Sequence, residues 1–332
     1  MIRDGIINLL KPAGMTSHDG VRMLRRLTGV KRIGHTGTLD PMAVGVLPLC
    51  IGSAARITEY LDLDYKKYRC EMQLGLETDT QDVWGTVIRD NRGSFVFDPA
   101  VIREALSRFQ GLISQYPPGY SAVRVNGRRL YEYARRGEQV EIKPRQVDIK
   151  NITVISIDPD KKRVMFDVEC SKGTYIRTIC HDAGIVLGCG AVMSCLIRTA
   201  SGAFTLDNAV TIEELSDGGP ERYLLEPDFP LVHFGKAVVN GDRGKWFVNG
   251  GHLRMSDVTI LRDPAFRNVP EEKGGPGIRE EYKKAYNIYL DRSHQSGNYS
   301  NGFLGVAFLE EQDERLVPDK IFYRQDIKNS NF

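Results

Sequence analysis

Tyr68-Arg-Cys-Glu-Met-Gln-Leu74 decides the fold class, because apolar and polar side chains alternate along its whole length. Alternation with a period of two predicts a β-strand with one buried face, and it places Tyr68 on that face at the start of the strand. Residues 164–170 alternate in the same way after the turn Asp158-Pro-Asp-Lys, and together with residues 152–157 they predict a β-hairpin. This part of the chain is therefore predicted to be built on strands.

Helical patterns flank these strands. Apolar residues from Ile176 to Val186 recur at helical spacing up to Gly188, and Ser17 is a good N-cap for a helix over residues 18–28. Further elements are predicted for residues 5–10, 46–51 and 83–89 as strands and for residues 54–61, 99–109 and 128–136 as short helices. Because no regular βαβ repeat connects them, the predicted class is α+β.

The length of 332 residues predicts two domains, since a single domain usually holds about 100–200 residues. Prolines at 227 and 230 indicate the boundary, so residues 1–228 and 229–332 are predicted to fold as separate domains. The second domain is predicted to be smaller and β-rich, with strand-like pieces at 246–248 and 258–261. A polar, Gly-rich stretch at 263–301 is interpreted as a long insertion in it.

Composition excludes several classes of protein. Charged residues make up 27% with a net charge of +2, and 41% of residues are hydrophobic, which excludes a disordered or collagen-like chain. No apolar run reaches the roughly 18 residues of a membrane span, and Asn8 interrupts the short apolar stretch near the N-terminus. Six cysteines form no C-x-x-C pair, so reduced thiols and no metal or redox site are expected. We expect a soluble cytoplasmic protein without a membrane partner.

The basic residues are concentrated in two segments, at 1–36 and 116–147, and the second is interleaved with tyrosines. Cations bind phosphates while aromatic faces accept bases, so this combination suits RNA. The alternative, equally open from this feature alone, is a solvated helix with arginines lying along its surface. The candidate RNA-binding cations are Lys11, Arg124, Arg128, Arg129, Arg135 and Arg136.

Asp40 is the first candidate for chemistry. Pro41 pushes it toward an extended conformation, and glycines at 34, 37 and 45 allow a ligand or another backbone to approach. A carboxylate in such a loop is a candidate nucleophile or base. The alternative, which composition alone favours, is an Asx-turn in which Asp40 only caps nearby N–H groups. A phosphate-binding loop fits less well, since no Lys-Ser/Thr pair follows the glycines.

The second candidate is the segment Cys170-Ser-Lys-Gly-Thr-Tyr-Ile-Arg177. If residues 174–177 are extended, Tyr175 and Arg177 lie on one face, where the guanidinium could orient a carboxylate by two parallel hydrogen bonds. The alternative, equally open, places Arg177 in the first turn of the helix beside an exposed Tyr175.

Six segments together resemble the bacterial tRNA pseudouridine-55 synthases, the TruB family. Two of them are Gly34-His-Thr-Gly-Thr-Leu-Asp-Pro41 and Gly173-Thr-Tyr-Ile-Arg177; the others lie at residues 9–17, 67–69, 74–82 and 115–122. They occur in the family's order from about residue 5 to about residue 205. The resemblance implies a mixed, mostly antiparallel sheet flanked by helices, with RNA held in a cleft across it.

The resemblance also implies roles for individual residues. Asp40 stands at the essential carboxylate of the family motif, and Arg177 pairs with it. His35 and Tyr68 contact the target nucleotide, Tyr68 by stacking on the uracil. The implied pocket also includes Tyr175 as a second aromatic and Leu196 on an apolar wall, and residues 116–147 match an RNA-gripping insertion.

The implied reaction converts uridine 55 of the tRNA T loop into pseudouridine after the base is flipped out, by a monomer that binds the T arm. No electrons or groups are gained in this isomerisation, so no cofactor is expected. Residues 229–332 stand where relatives carry a small RNA-binding domain of the PUA type. The competing hypotheses are a non-catalytic RNA-binding or RNA-folding module and a hydrolase with an aspartate nucleophile, whose usual second carboxylate or metal has no support in the sequence.

Overall fold

A computed structural model describes residues 4–61, 65–93, 95, 97–267, 279–291 and 302–322. The first part of the chain contains β1 (Gly5–Lys11), α1 (Ser17–Thr28), β2 (Ile33–His35), β3 (Val44–Ile51), β4 (Lys66–Leu74), β5 (Leu76–Thr78), β6 (Val87–Asp90), α2 (Pro99–Ser107), β7 (Gly111–Gln115), β8 (Arg124–Val125), β9 (Arg128–Arg129), α3 (Leu130–Arg135), β10 (Arg145–Asp158), β11 (Arg163–Cys170), α4 (Ile176–Val186), β12 (Ala191–Ser201), β13 (Phe204–Thr205) and α5 (Ile212–Gly218). The second part contains β14 (Gly235–Val239), α6 (Gly241–Val248), β15 (Leu253–Arg254), β16 (Val258–Arg262), β17 (Ala285–Leu290), β18 (Phe303–Glu310) and β19 (Arg315–Ile321). Short 3₁₀ helices cover Gly52–Tyr60, Leu206–Asn208, Pro220–Tyr223, Met255–Asp257 and Glu280–Lys284.

A nine-stranded sheet organises the first part, in the order β1-β3-β12-β4-β11-β10-β7, with β2 beside β3 and β13 beside β12. Among the described strands of this sheet, only β3 and β12 pair in parallel, and the other neighbours are antiparallel. Helices pack on the sheet without a βαβ repeat. The predictions of an α+β class and of a mixed, mostly antiparallel sheet are confirmed.

Strand β4 lies at the centre of the sheet, and its alternation is the one read from the sequence. Tyr68, Cys70 and Met72 are buried on the face that also carries helix α4. From α4, Ile179 and Cys180 are fully buried against that core, and burial of a side chain the size of Ile179 contributes about 1.5–3 kcal/mol. All six cysteines, each within the described residues, are free thiols.

Helix α1 differs from its prediction at the first residue. Thr16, not Ser17, is the N-cap, because its hydroxyl accepts the Asp19 N–H (3.1 Å) while the Asp19 carboxylate accepts the Thr16 N–H (2.9 Å). This capping box leaves the Ser17 hydroxyl free for a partner outside the helix. Gly29 closes the helix in a left-handed conformation.

The Gly- and Pro-rich stretch at 34–48 is less irregular than its composition indicates. Strands β2 and β3 occupy its ends, so the loop is confined to residues 36–43. Gly45 lies inside β3 with φ of 109°, and a Cβ there would lie 2.2 Å from the Arg198 carbonyl oxygen of β12. Gly45 therefore allows β3 and β12 to pair closely in parallel, and it does not belong to the loop.

A separate β-rich domain follows, as predicted, with strand order β15-β19-β18-β17-β14-β16. Two details of its prediction are wrong. Residues 246–248 end helix α6, which Asn240 caps, and the supposed insertion at 263–301 contains β17, whose six residues are all buried at the centre of the sheet. The apolar run Ala-Tyr-Asn-Ile-Tyr-Leu was obscured by its polar flanks; residues 268–278 and 292–301 of that stretch lie outside the described residues.

The two sheets share an apolar interface. Along β3, Leu47 and Leu49 face the main core, whereas Val46 and Cys50 point to the opposite face and pack with the second domain. At its edge, the Tyr282 hydroxyl donates to the Glu59 carbonyl oxygen at 2.8 Å. The second domain therefore covers the face of the sheet opposite to the main core.

Candidate active site

The loop that carries Asp40 is fastened on both sides of that residue. The Ser17 hydroxyl accepts the Leu39 N–H at 2.8 Å and donates to the Leu39 carbonyl oxygen at 3.1 Å. The Pro41 carbonyl oxygen accepts the Gly14 N–H at 2.9 Å. Because Leu39 is itself buried in the core, the backbone at Asp40 is held in place while its carboxylate remains 34% exposed.

Asp40 and Arg177 form a two-point ion pair. Arg177 Nε lies 3.0 Å from Asp40 Oδ2, and Arg177 Nη2 donates to Asp40 Oδ1 at 3.3 Å. The Arg177 side chain is only 5% exposed, so water screens this pair weakly. The predicted contact between these residues is thus present, with the fork geometry that orients a carboxylate.

The backbone that presents Arg177 is helical, not extended. Tyr175 is the N-cap of α4, and its N–H donates to Gln115 Oε1 at 2.8 Å while its carbonyl oxygen accepts from Gln115 Nε2 at 3.0 Å. Arg177 therefore lies in the first turn of the helix, where the helix dipole disfavours a cation. The extended alternative for 174–177 is wrong, and carboxylates compensate the charge of Arg177.

Sequence reasoning missed the second of these carboxylates, Asp82. Its Oδ2 lies 3.6 Å from Arg177 Nη1, which also donates to the Thr80 carbonyl oxygen at 3.1 Å. Arg177 Nη2 further donates to the Tyr120 carbonyl oxygen at 3.1 Å. In the sequence, the signal for Asp82 is its place in the segment 74–82, one of the six segments that carry the family resemblance. The Arg177 guanidinium therefore contacts Asp40 and two further segments, residues 80–82 and Tyr120.

Burial in this site raises the pKa of Asp40 above its ordinary value. The Arg177 and Lys11 cations oppose the shift, and the Asp82 carboxylate adds to it. In the folded protein, the ionised form of Asp40 is therefore stabilised mainly by the positive charge of Arg177. An oriented, partly exposed carboxylate of this kind can act as a nucleophile or as a base.

Tyr68 lies under the same loop, together with a residue that sequence reasoning also missed. Arg198 is fully buried, stands opposite Tyr68 in the sheet register and places its positive charge near the Tyr68 hydroxyl. Its guanidinium donates to the carbonyl oxygens of Val46 (2.6 Å) and Gly37 (3.2 Å). Burial raises the pKa of Tyr68 to about 12, so the ring is a neutral phenol at physiological pH. A lone arginine in the apolar strand β12 was the available signal.

The other predicted pocket residues lie on elements next to this group. His35 ends β2 immediately before the loop, and burial together with nearby Arg198 lowers the pKa of its imidazole. Leu196 is buried in the main core and stands opposite Cys70 in the register of β12 and β4. Tyr175 is half-buried two residues before Arg177. Their roles toward a nucleotide remain predictions.

Lys11 does not lie where an RNA phosphate could reach it. Its side chain is fully buried, and its ammonium donates to the carbonyl oxygens of Pro12 (2.8 Å) and Met15 (2.7 Å) and more weakly to that of Pro41 (3.4 Å). Burial lowers its pKa to about 8. In this structure Lys11 supports the loop of Asp40, which corrects its interpretation as a surface cation.

The segment 116–147 forms the β8–β9 hairpin and helix α3 beside the site. Arg124, Arg129, Arg135 and Arg136 are exposed and Arg128 is half-buried. The guanidinium of Arg128 lies 4.7 Å from the centre of the Tyr133 ring and 3.2 Å from Glu138. Arg129 and Arg135 both lie over Tyr131, at 5.8 and 5.3 Å. In this segment, arginine guanidinium groups therefore lie against tyrosine rings, and Glu138 neutralises part of the positive charge.

In the part of the chain that the structure describes, no group of three or more His, Cys, Asp and Glu side chains could hold a metal ion. No described helix combines the length and the apolar surface needed to cross a bilayer.

Family models match the part of the chain that builds this site. The model of the TruB family pseudouridylate synthase N-terminal domain matches residues 25–176, and that of the tRNA pseudouridylate synthase B C-terminal domain matches residues 177–224. The tRNA pseudouridine synthase B of Alkaliphilus oremlandii (strain OhILAs) is 50% identical over 251 residues, which are 75% of this chain and 83% of that protein. The chain belongs to the TruB family. It is a pseudouridine synthase, and therefore an isomerase.

The TruB likeness extends over nearly the whole chain. The tRNA pseudouridine synthase B of Clostridium novyi (strain NT) is 43% identical over 313 residues, which are 94% of this chain and 98% of that protein. Among solved structures, a Cbf5-Nop10-Gar1 complex contains a chain that superposes with a TM-score of 0.66 at 24% identity, covering 97% of this TruB-family chain and 86% of the other. At that identity the superposition establishes the fold alone.

Proposed function

We propose that this pseudouridine synthase acts on tRNA and converts uridine 55 of the T loop, with Asp40 as the essential carboxylate. The curated relatives named above are tRNA pseudouridine synthases, which supports tRNA as the substrate. The observation that carries the role of Asp40 is its partly exposed carboxylate, held by both nitrogens of the buried Arg177 fork.

The chemistry requires an ionised carboxylate. Formation of pseudouridine breaks the N1–C1′ bond, turns the uracil and joins C5 to C1′, with no net gain of electrons or groups. Addition of Asp40 to C6, attack on C1′ and removal of a sugar proton are three routes that share this requirement. Since burial raises the pKa of Asp40, the Arg177 cation stabilises the form that all three routes need.

A stacked and paired uridine must leave the tRNA helix before Asp40 can reach it. Flipping a base costs roughly a few kcal/mol, and stacking on an aromatic ring returns about 1–3 kcal/mol per base. We assign this stacking to Tyr68, with His35, Tyr175 and Leu196 as the other walls of the pocket. The exposed arginines of the segment 116–147 then bind phosphates of the T arm, which makes binding strongly dependent on salt.

Residues 229–332 are proposed to bind RNA as well, as a PUA-like domain, and the enzyme is proposed to act as a cytoplasmic monomer. The second sheet lies against the face opposite the main core, which leaves the Asp40 loop uncovered by that domain. A tRNA could therefore contact both domains without competition between them.

The test is release of tritium from C5 of labelled uridine in a T-arm RNA, since C5 loses its hydrogen when it bonds to C1′. Asp40→Asn is expected to abolish release while retaining RNA binding. Asp167→Asn is the matched control, because Asp167 also accepts two hydrogen bonds from an arginine, Arg69, at 2.8 Å each, but on the surface. Unchanged release by Asp40→Asn refutes the role of Asp40.

Carbodiimide mapping of the reacted tRNA tests the position. A single modified site at 55 is the expected result. RNA binding by the wild type without any modification would favour the non-catalytic RNA-binding module.

A further inference from the structure

A tight turn next to the active site presents an exposed tryptophan that the reaction scheme does not use. Trp84 is 60% exposed, and Val87 and Ile88 of strand β6 beside it are 54% and 65% exposed. Single exposed apolar residues are common, but three exposed apolar residues within five positions of the chain, one of them a tryptophan, indicate a contact surface. The strands β5 and β6 that support it pair only with each other among the described strands.

The turn is rigidly tied to the proposed catalytic carboxylate. The Trp84 N–H donates to Asp82 Oδ1 at 3.0 Å, and the other oxygen of Asp82 lies 3.6 Å from the Arg177 guanidinium that holds Asp40. The Val83 N–H donates to the Met193 carbonyl oxygen of β12 at 3.0 Å. The backbone of Trp84 is therefore linked to Asp40 through the side chains of Asp82 and Arg177.

The same guanidinium brings in the arginine- and tyrosine-rich segment. Arg177 donates to the Tyr120 carbonyl oxygen, and Tyr116, four residues earlier, is 59% exposed. Two segments that Arg177 joins beside Asp40, at residues 80–84 and 116–120, thus each carry an exposed aromatic ring and together form a rim. Such a rim suits single-stranded nucleic acid, because every base offers a face for stacking and every phosphate a charge.

We propose that Trp84 stacks on a nucleobase of the substrate RNA next to the target uridine, and so supports the strand from which that uridine is flipped. This inference rests on the proposed function, because it takes RNA to be the molecule that enters the site. An indole is well suited to the task, since it offers a large π-face without needing a particular base. Trp84 is a positioning residue in this scheme, acting on the neighbour of the reacting nucleotide.

Fluorescence provides a direct test, because the chain has only two tryptophans. Trp246 is also about half exposed, but it lies in the second domain, where its indole donates to the His252 carbonyl oxygen at 2.9 Å. Titration of Trp246→Phe, which retains Trp84, with a synthetic T-arm hairpin RNA is expected to quench the emission. The matched variant Trp84→Phe retains only Trp246 of the second domain and is expected to show a smaller change in emission. Equal responses from the two variants, or no quenching of Trp84, would overturn the proposal.

Kinetics give the second readout. Trp84→Ala is expected to raise the Kd and the KM for the hairpin by about 5- to 150-fold, whereas Trp84→Phe keeps most of the affinity. Ile185→Ala removes another exposed apolar side chain, 62% exposed near the C-terminal end of α4, and should leave both constants within about twofold. If wild type and Trp84→Ala release tritium with the same KM, the inference fails while the proposed function stands; if wild type modifies no RNA, the proposed function fails first.

Discussion

Arg177 and Asp40 lie 137 residues apart in sequence, yet two guanidinium nitrogens of Arg177 face the two carboxylate oxygens of Asp40 at 3.0 and 3.3 Å. The remaining guanidinium nitrogen, Nη1, faces Asp82, and backbone carbonyl oxygens fill the other donor positions. The proposed catalytic carboxylate is therefore one of two anions that share a single buried cation, and this sharing determines how the site responds to substitution and to pH.

Arg177→Lys is expected to destabilise the protein by about 1–3 kcal/mol and to reduce turnover, because the three donors of an ammonium cannot serve two carboxylates and two carbonyl oxygens in that geometry. Urea unfolding and single-turnover rates measure the two effects. Arg69→Lys is the control: Arg69 makes the same fork with Asp167 in water, so its loss should cost less than about 1 kcal/mol. Similar losses in the two variants would contradict the special status of the buried fork.

Asp40→Asn is expected to make the protein more stable at neutral pH while it abolishes activity. The folded-state pKa of Asp40 is raised, so its ionisation opposes folding once the pH exceeds the unfolded value of about 3.9. The difference in unfolding free energy between the variant and wild type should vanish below the unfolded-state pKa. It should grow as the pH rises from that value to the folded-state pKa of Asp40, and stay constant above it. Unfolding free energies of the variant and of wild type at several pH values measure this difference. A variant less stable than wild type at pH 7 would contradict the prediction.

Asp82→Asn is expected to move the acid limb of the activity profile to lower pH. The Asp82 carboxylate raises the pKa of Asp40, so removing its charge makes Asp40 easier to ionise. The measurement is the single-turnover rate between pH 4 and 8. The pH at the midpoint of the acid limb is compared between variants, and the maximal rate of each variant does not enter the comparison. Glu77→Gln on the neighbouring strand is a control with a surface ion pair, and its profile should not move. A limb that stays in place for Asp82→Asn would refute the coupling.

Gly45→Ala is expected to unfold or severely destabilise the catalytic sheet. Its Cβ would meet the backbone of Arg198 at 2.2 Å, and its φ of 109° is unfavourable for any other residue. Gly29→Ala isolates the second effect, since Gly29 has a positive φ but no atom within 4 Å of a Cβ, and should cost about 1–2 kcal/mol. Thermal unfolding of both variants compares the two, and equal losses would contradict the close approach of β3 and β12.

Local periodicity accounts for what could be predicted of the fold. The alternation of residues 68–74 and the hairpin after Asp158 appear as the central strands, because side-chain period and strand geometry are properties of neighbouring residues. The buried strand β17 was missed because its apolar run is short and lies within a polar stretch, so composition over a longer window concealed it.

The amino-acid sequence by itself determined the α+β class, the candidate residues for chemistry and, through a resemblance, the pairing of Asp40 with Arg177. Only the tertiary structure decided which charged groups are buried around that pair. Asp82, Lys11 and Arg198 look like ordinary polar residues in the chain, and their positions depend on carbonyl groups and carboxylates supplied by remote segments. A charge is tolerated away from water only where folding brings such partners to it, and no local pattern records that meeting.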